Sequence, residues 1–401
     1  MVQTGLDVVL SAGSDGPDLL HGRRVGLLCH PASVDHRLVH AVDALASASI
    51  NLVRLFGPEH GVRGEAQDMV GMGSDHDART GIPVTSLYGD RVESLAPTSD
   101  ALADIEVLVI DLQDIGSRYY TFIWTMALCM QSAARAGIPV VVLDRPNPIG
   151  GLTIEGGDVE AGVESFVGLG SIPVRHGLTI GEIAKLVCGG IPWGGPRFAK
   201  PLDCDLSVVA MRGWNRHDYF DATELPWVLP SPNMPTLDTA LVYPGLCLIE
   251  GTNVSEGRGT TRPFEIIGAP FVDGWRLAEH LAACQLPGVS FRPLAFRPTF
   301  HKFAGQVCGG VQIHVADRFA FRPFLTGIAV LRALHSLAGD AFRWRTEKYE
   351  FVSDRLAIDL LAGGDAIRMG IDSGVSLDEL CATWRDAESA FAERRRPCLL
   401  Y

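Results

Sequence analysis

The sequence lacks the features that mark several large classes of protein. No hydrophobic run approaches the roughly 18 residues of a membrane-spanning helix. The first residues, MVQTGLDVVLSAGSDG, have neither the charged start nor the long apolar run of a secretory signal. We therefore expect a cytoplasmic protein for the chain as given; a signal removed from it would instead place it outside the cytoplasm. Basic residues number 34 against 47 acidic ones, a net charge of -13, which argues against nucleic acid as the main partner because phosphate binding needs basic faces.

Cofactor motifs are missing as well. The nine cysteines are scattered, odd in number and never in a C-x-x-C pair, so a zinc site or a disulfide framework is not expected and the thiols are interpreted as small buried apolar groups. The first apolar strand is followed by CHPASV rather than G-x-G-x-x-G, and G-x-x-x-x-G-K-[ST] does not occur. The sequence therefore predicts no dinucleotide, no nucleoside triphosphate and no cofactor.

Short apolar runs alternate with helical patterns through the first half of the chain. The predicted strands are 24–31, 50–56, 105–114, 138–148 and 205–211, and the predicted helices are 34–48, 117–137 and 178–190. The strands are apolar throughout, as expected when helices cover both faces of a parallel sheet. This pattern predicts an α/β fold, a Rossmann-like doubly wound parallel sheet. A proline-rich stretch at 224–236 precedes a change of pattern, so we expect a smaller C-terminal α/β domain at 240–401 after a first domain at 1–239.

Polar side chains follow four of the predicted strands. Ligands of open parallel sheets bind outside the carboxyl ends of the strands, so these groups predict a site there. They are His30; Glu59, His60 and Arg63; Asp111, Gln113, Asp114 and Arg118; and Asp144, Arg145 and Asn147.

The segment LFGPEHG (55–61) holds the most distinctive carboxyl group. Its glycines and proline restrict the backbone and would give Glu59 a fixed direction. A carboxyl group held against apolar side chains such as Phe56 is harder to ionise, which suits a general acid. The competing interpretation has Glu59 capping the next turn or pairing with Arg63, and His60 as an ordinary loop histidine.

A second polar segment, IEGTNVSEGRGTTRPFE (249–265), combines glycines with charged groups. The charged and polar groups are Glu250, Asn253, Glu256, Arg258 and Arg262. Glycine-rich backbone beside an arginine is suited to holding an anion; an exposed turn with salt-bridged charges is the alternative. Asn233 in SPNMPT is a candidate ligand residue or a turn cap. His176 in VRHG is a candidate ligand residue or a helix cap.

Several long strings resemble one enzyme family. LFGPEHGVRGE, DLQDIGSRYYTFIWTM, VVLDRPNPIGG, WVLPSPNMPTLDTALVYPG and EGTNVSEGRGTTRPFE occur in order and are similar to the exo-β-N-acetylmuramidase family, formerly a domain of unknown function. The resemblance implies a Rossmann-like domain joined to a smaller one, with the active site in the cleft between them. It also implies release of N-acetylmuramic acid from the non-reducing end of peptidoglycan fragments by cleavage of a β-1,4 bond, with Glu59 as the catalytic candidate.

Glycoside hydrolysis usually needs two carboxyl groups, and the second one is left open by the sequence. Asp111, Asp114 and Glu256 are candidates, and the substrate's acetamido group is another. The acidic lactyl group of muramic acid needs local positive charge from Arg258, Arg63 or Arg118. The predicted catalytic residues are Glu59, Asp114 and Glu256, and the predicted substrate-binding residues are His60, Arg63, Asp111, Arg118, His176, Asn233, Asn253 and Arg258.

Two other functions compete with this interpretation. One is a muropeptide or sugar-acid binding protein that performs no chemistry, which has little use for a positioned acid. The other is a metal-dependent hydrolase that uses His30, His60, His176 and the aspartates. Those histidines lack a compact ligand spacing such as H-x-x-x-H, so we predict no metal.

Overall fold

A computed structural model describes residues 1–11, 19–64, 76–89, 91–191 and 198–401. Its larger sheet has six parallel strands in the order β3-β2-β1-β4-β5-β6. These are β1 Val25–Cys29, β2 Leu52–Gly57, β3 Val84–Ser86, β4 Val107–Asp111, β5 Val140–Leu143 and β6 Leu206–Val209. This is the strand order of a doubly wound Rossmann-type sheet, and the predicted fold class is confirmed. The short β3 was not predicted, because three residues are too few to give a pattern.

Apolar strands result from burial on both faces of this sheet. In β4, Leu108 and Ile110 point into one hydrophobic core, whereas Val107 and Val109 point into a second core on the opposite face. Alternate strand residues face opposite sides, so a strand covered on both sides needs apolar residues at every position. The continuous apolar runs in the sequence therefore have a direct structural cause.

Helices cover the two faces of the larger sheet and continue through the second half of the chain. They are α1 Gly5–Ser11, α2 Ala41–Ser47, α3 Ser99–Leu102, α4 Phe122–Ala136, α5 Ile180–Gly189, α6 Leu237–Leu246, α7 Gly274–Ala283, α8 Pro323–Ala338, α9 Ala357–Ala362, α10 Ala366–Asp372 and α11 Leu377–Arg394.

Helix boundaries follow the capping residues more closely than the apolar pattern. Thr179 and Glu182 form a reciprocal capping box at the start of α5. Gly137 ends α4 in the left-handed region with φ 68°. The predicted helix at 34–48 was too long, because α2 begins only at Ala41, where the side chain of His40 accepts a bond from the Val42 N–H.

A smaller antiparallel sheet occupies the second half, with the order β7-β9-β8. Its strands are β7 Ile266–Ala269, β8 Val289–Phe296 and β9 Cys308–Val315. Helix α8 lies against α6 at a contact between Gly245 and the backbone of Pro323 and Gly327. All nine cysteines are free thiols. Among the described residues, no helix is both long and apolar enough to cross a lipid bilayer.

The contact between α6 and α8 can be tested with one methyl group. A Cβ on Gly245 would overlap the carbonyl oxygen of Pro323, so Gly245→Ala must push the helices apart. We expect a loss of about 1–3 kcal/mol in the free energy of unfolding, measured by urea denaturation. Gly189→Ala is the matched control, because no atom lies within 4 Å of its added Cβ, and it should change stability by less than about 0.5 kcal/mol. Equal stability of the two variants would contradict the close helix contact.

Candidate active site

A cavity beside the ends of β2 and β4 collects side chains from both halves of the chain. Its empty space, including solvent at the mouth, is about 840 Å³, within the range of sites for small molecules. Carboxyl groups, arginines and histidines share its wall with neutral polar and aromatic side chains. The charged and titratable members are Glu59, Glu250, Glu350, Arg258, Arg345, His60 and His301; the neutral polar members are Thr121, Ser231 and Asn233; the aromatic members are Tyr119, Tyr120, Phe122, Tyr243, Phe264 and Tyr349.

Glu59 enters the cavity from a tight turn directly after β2. The Gly61 N–H donates to the Pro58 carbonyl at 2.9 Å and closes the turn. His60 and Gly61 both have left-handed backbones, with φ 72° and 80°, a conformation that glycine adopts easily and histidine at some cost. The hydroxyl of Thr121 donates to Glu59 Oε2 at 3.1 Å. Glu59 is 8% exposed, so its carboxyl group is held in place at the cavity wall.

The start of α4 supplies one aromatic wall. Thr121 is the N-cap residue, but its hydroxyl makes no capping bond, because it is directed at Glu59. Phe122 packs edge-on against Tyr120 with ring centroids 4.9 Å apart, and Tyr243 packs against Tyr120 at 5.8 Å. Burial keeps the pKa of Tyr120 and Tyr243 well above the usual range, so both phenols stay neutral. Aromatic faces of this kind suit the apolar faces of a sugar ring.

An ion-pair cluster around Arg258 forms another part of the wall. Arg258 Nη2 donates to Glu250 Oε1 at 2.7 Å, and its Nε lies 3.4 Å from Glu256 Oε1. The fully buried Glu256 also accepts a bond from Lys302 Nζ at 2.9 Å and lies 3.2 Å from His301 Nδ1. Burial opposes ionisation of Glu256, but Lys302, His301 and Arg258 outweigh it and hold its pKa well below the usual range. Glu256 is therefore ionised, and its charge holds the basic side chains of Arg258, Lys302 and His301 together.

The glycines around Arg258 make this cluster possible. Gly257 and Gly259 both have φ 80°. A Cβ on Gly259 would lie only 2.6 Å from the Phe300 carbonyl oxygen, so the Arg258 segment approaches the loop that carries His301 as closely as glycine allows. The glycines of SEGRG thus act through backbone geometry.

A second turn brings Tyr349 and Glu350 to the cavity. Tyr349 and Val352 exchange two backbone hydrogen bonds at 2.9 Å, and the residues between them, Glu350 and Phe351, are left-handed at φ 43° and 72°. Phe351 packs against Tyr88 and Phe166 with centroids 6.1 and 6.3 Å apart. The Tyr349 hydroxyl donates to Glu250 Oε2 at 2.7 Å. Neither left-handed residue is glycine, so packing holds this turn in a costly conformation at the cavity.

Four residues predicted from the sequence lie on the cavity wall, namely Glu59, His60, Asn233 and Arg258. Glu256 lies directly behind Arg258. Asp111 is elsewhere: Arg145 Nε and Nη2 donate to its two carboxylate oxygens at 2.5 and 2.8 Å. The roles assigned to all these residues remain predictions.

Five more of the predicted residues make contacts outside the cavity wall. Arg63 donates to Asp77 Oδ1 at 2.6 Å. Arg118 is buried and donates to three backbone carbonyls, those of Gly157, Ile172 and Leu361.

The other three predicted residues, Asp114, His176 and Asn253, also contact other groups of the protein. Asp114 accepts from the Gly116 N–H at 2.7 Å and lies 3.4 Å from His176 Nε2. Asn253 binds the backbone of Ala341 and Arg343.

Several wall residues were missed by sequence reasoning. Tyr119 to Phe122 follow Arg118 directly, and an apolar helix start gives no sign that its first turn faces a ligand. Arg345 and Tyr349 lie in the segment RTEKYEF (345–351), about 90 residues beyond Arg258. The segment contains no recognisable motif. Their sole sequence signal is a cluster of charged and aromatic residues after α8, which surface loops share.

His30, which the metal-site hypothesis included, makes structural contacts. His30 Nε2 accepts from the Gln113 N–H at 2.9 Å, and its Nδ1 lies 3.2 Å from the Pro230 carbonyl oxygen. Burial lowers the pKa of His30 well below its usual range, so it is neutral, with the proton on Nδ1. Over the ranges that the structure describes, no three histidine, cysteine or acidic side chains come together as metal ligands.

Rossmann-type topology and a polar cavity with aromatic walls define an α/β protein with a binding site of small-molecule size. Residues 25–238 match the family model described as "Exo-beta-N-acetylmuramidase NamZ, N-terminal", and residues 241–401 match its C-terminal counterpart. The chain belongs to the NamZ exo-β-N-acetylmuramidase family, and the resemblance inferred from its motifs is confirmed.

Individual relatives agree with this assignment. The chain is 46% identical over 401 residues to the peptidoglycan β-N-acetylmuramidase NamZ of Bacillus subtilis (strain 168), covering 100% of this chain and 91% of that protein. It is similar to two crystal structures of DUF1343 family proteins from Bacteroides fragilis NCTC 9343. BF0371 has a TM-score of 0.87 at 35% identity and BF0379 a TM-score of 0.77 at 27%, and each comparison covers 100% of this chain and 99% of the other.

The buried charge of Glu256 predicts a pH-dependent stability difference. At pH 7, Glu256→Gln leaves Lys302 and Arg258 without their buried partner, so we expect a loss of roughly 3–5 kcal/mol in unfolding free energy. The unfolded chain returns the pKa of Glu256 to about 4.5, above its folded value. Its contribution is therefore complete above pH 4.5 and decreases as pH falls below it. Urea denaturation of both proteins at pH 7 and pH 4 should show a smaller difference at pH 4; a constant difference would contradict the ionised state.

Proposed function

We propose that the protein is an exo-acting glycosidase that hydrolyses the β-1,4 bond after a non-reducing terminal N-acetylmuramic acid residue of peptidoglycan fragments. The observation that carries the proposal is the position of Glu59. Its carboxyl group is fixed by a turn and by Thr121 on the wall of a cavity that also has arginines and aromatic faces. The relationship to the Bacillus subtilis muramidase supplies the substrate class.

Glu59 acts as the general acid in this proposal. It gives a proton to the glycosidic oxygen while the bond from C1 to that oxygen breaks and its electron pair stays with the leaving oxygen. Positive charge develops at C1 and the ring oxygen. Water then adds to C1 and loses a proton, which completes the hydrolysis.

The second carboxyl group in this proposal is Glu250. Asp111 is held by Arg145, and Asp114 and Glu256 lie outside the cavity wall. Glu250 lies on the wall, 8% exposed, and its two oxygens accept from Arg258 and from the Tyr349 hydroxyl, each at 2.7 Å. Two strong donors hold a carboxylate in one orientation. A fixed anion of this kind stabilises the positive charge that develops at C1.

The role of Glu59 predicts a dependence on the leaving group. Glu59→Gln should lower kcat on the disaccharide of N-acetylmuramic acid and N-acetylglucosamine by about 10²- to 10⁴-fold, because the leaving alkoxide needs a proton. On 4-nitrophenyl β-N-acetylmuramide the loss should be much smaller, since nitrophenolate leaves without protonation. Product release, followed by NMR for the disaccharide and by absorbance for the nitrophenyl glycoside, measures both.

The exposed Glu279 on α7 supplies the matched control, and Glu279→Gln should leave both rates unchanged. Equal losses on both substrates would remove the general-acid role of Glu59. A wild-type protein that binds the disaccharide and releases no product would remove the glycosidase proposal and leave a binding protein.

Glu250 has its own test. Glu250→Ala should lower kcat on the nitrophenyl muramide by at least about 10²-fold, while added azide restores part of the rate because a small anion fills the vacated space. Azide that attacks C1 replaces nitrophenolate and gives a glycosyl azide, whose anomeric configuration NMR reports. Loss of activity without azide rescue, in a variant that keeps the wild-type melting temperature, would count against a direct role for Glu250.

A further inference from the structure

Among the residues that the structure describes, the cavity wall has two arginines, and they differ in how far carboxylates match their charge. Arg258 pairs with Glu250 and Glu256, and Glu256 pairs in turn with Lys302. Arg258 and Lys302 therefore both have carboxylate partners within that cluster. Arg345 is the second arginine on the wall and lies outside the cluster.

Arg345 is held in place from both sides. The backbone N–H of Arg345 donates to the Gly251 carbonyl at 2.8 Å. The side chain of Asn253 accepts a bond from the backbone N–H of Arg343 at 2.9 Å and fixes the neighbouring segment. The Arg345 guanidinium lies over the ring of Tyr349, 5.1 Å from the centroid. A stacked guanidinium loses little further freedom when it binds a ligand.

Most of the donors of Arg345 are not used by the protein. Within the described part of the chain, its guanidinium makes one hydrogen bond, from Nη2 to the Lys348 carbonyl at 3.3 Å. Its one ion-pair contact is Nε to Glu347 Oε2 at 3.9 Å, and that carboxylate is 76% exposed, where water weakens the attraction. A guanidinium has five N–H donors, so a fork of donors is available to a ligand in the cavity.

We propose that Arg345 binds the lactyl carboxylate of the terminal N-acetylmuramic acid and thereby selects this sugar over N-acetylglucosamine. The inference rests on the proposed function and adds the residue that recognises the single charge of a terminal N-acetylmuramic acid without a peptide. A planar fork matches a carboxylate with two parallel hydrogen bonds. Arg258 is already paired with Glu250 and Glu256, so the carboxylate of the sugar binds at Arg345, and this contact also sets the orientation of the sugar.

The test compares two ligands that differ by one charge. N-acetylmuramic acid and its lactyl methyl ester have nearly the same shape, and calorimetry measures the affinity of each. Wild-type protein should bind the acid roughly 10- to 100-fold more tightly than the ester, the range of a charge-assisted hydrogen bond. Arg345→Met should bind both with the weak affinity of the ester, and Arg345→Lys should recover part of the preference.

Arg343→Met is the matched control, because Arg343 is exposed, lies two residues away and is absent from the cavity wall. It should keep the wild-type preference for the acid. Wild-type protein that binds acid and ester equally, or an Arg345→Met variant that keeps the preference, would overturn the inference. A melting temperature equal to that of the wild type shows that a variant is folded. If Arg345→Met is unfolded, Arg345→Lys decides, and a full wild-type preference in that variant would overturn the inference.

Kinetics separate this inference from the proposed function. On 4-nitrophenyl β-N-acetylmuramide, Arg345→Met should raise KM by about 10-fold or more with kcat within about threefold, because the carboxylate contact is equal in ground and transition states. Unchanged kinetics would exclude Arg345 while leaving the muramidase proposal intact. A wild-type protein inactive on all muramides would instead reject the proposed function.

Discussion

The organisation of the cavity depends on the ion pairs of Arg258. One guanidinium joins Glu250 at the wall to the buried Glu256 behind it. Burying several charges together is favourable only if each has partners, because desolvation of an isolated charge costs several kcal/mol. Glycines on both sides of Arg258 give the backbone the conformation that this clustering needs. Charge pairing within the protein therefore holds Arg258 and Glu250 in place without a ligand.

An acidic protein can still bind an acidic sugar because charge acts locally at these distances. The net charge of -13 is spread over a surface screened by salt within about 10 Å. Inside the cavity, Arg258 is paired with Glu250 and Glu256, and Arg345 adds a cation held over Tyr349. The sign of the whole chain therefore argues against a polyanion as the main partner and is compatible with a ligand that has a single carboxylate.

Sequence reasoning located the sheet and part of the site for physical reasons. Parallel strands bring their carboxyl ends to one edge, so Glu59 after β2 and the residues after β4 were expected together. The same reasoning could not tell which way Arg63, Asp111 and Arg118 point, and each of them satisfies the protein's own polar groups. Tyr349 reaches the cavity at a turn with left-handed Glu350 and Phe351, and Arg345 is placed by a backbone hydrogen bond to the Gly251 carbonyl. No local sequence pattern predicts either arrangement.

The same contacts explain why a Rossmann-type sheet here serves a sugar site. Nucleotides bind such sheets at the point where the strand order reverses, which in this protein lies between β1 and β4. The buried pair of Asp111 and Arg145 occupies that point, and Trp227 and Phe220 line the small remaining space beside Arg145. With no glycine-rich turn after β1 to admit a phosphate, the crevice there is used for internal contacts. The ligand space lies instead beside β2 and Glu59, where the second half of the chain adds Glu250, Arg258 and Arg345 to the wall of the cavity.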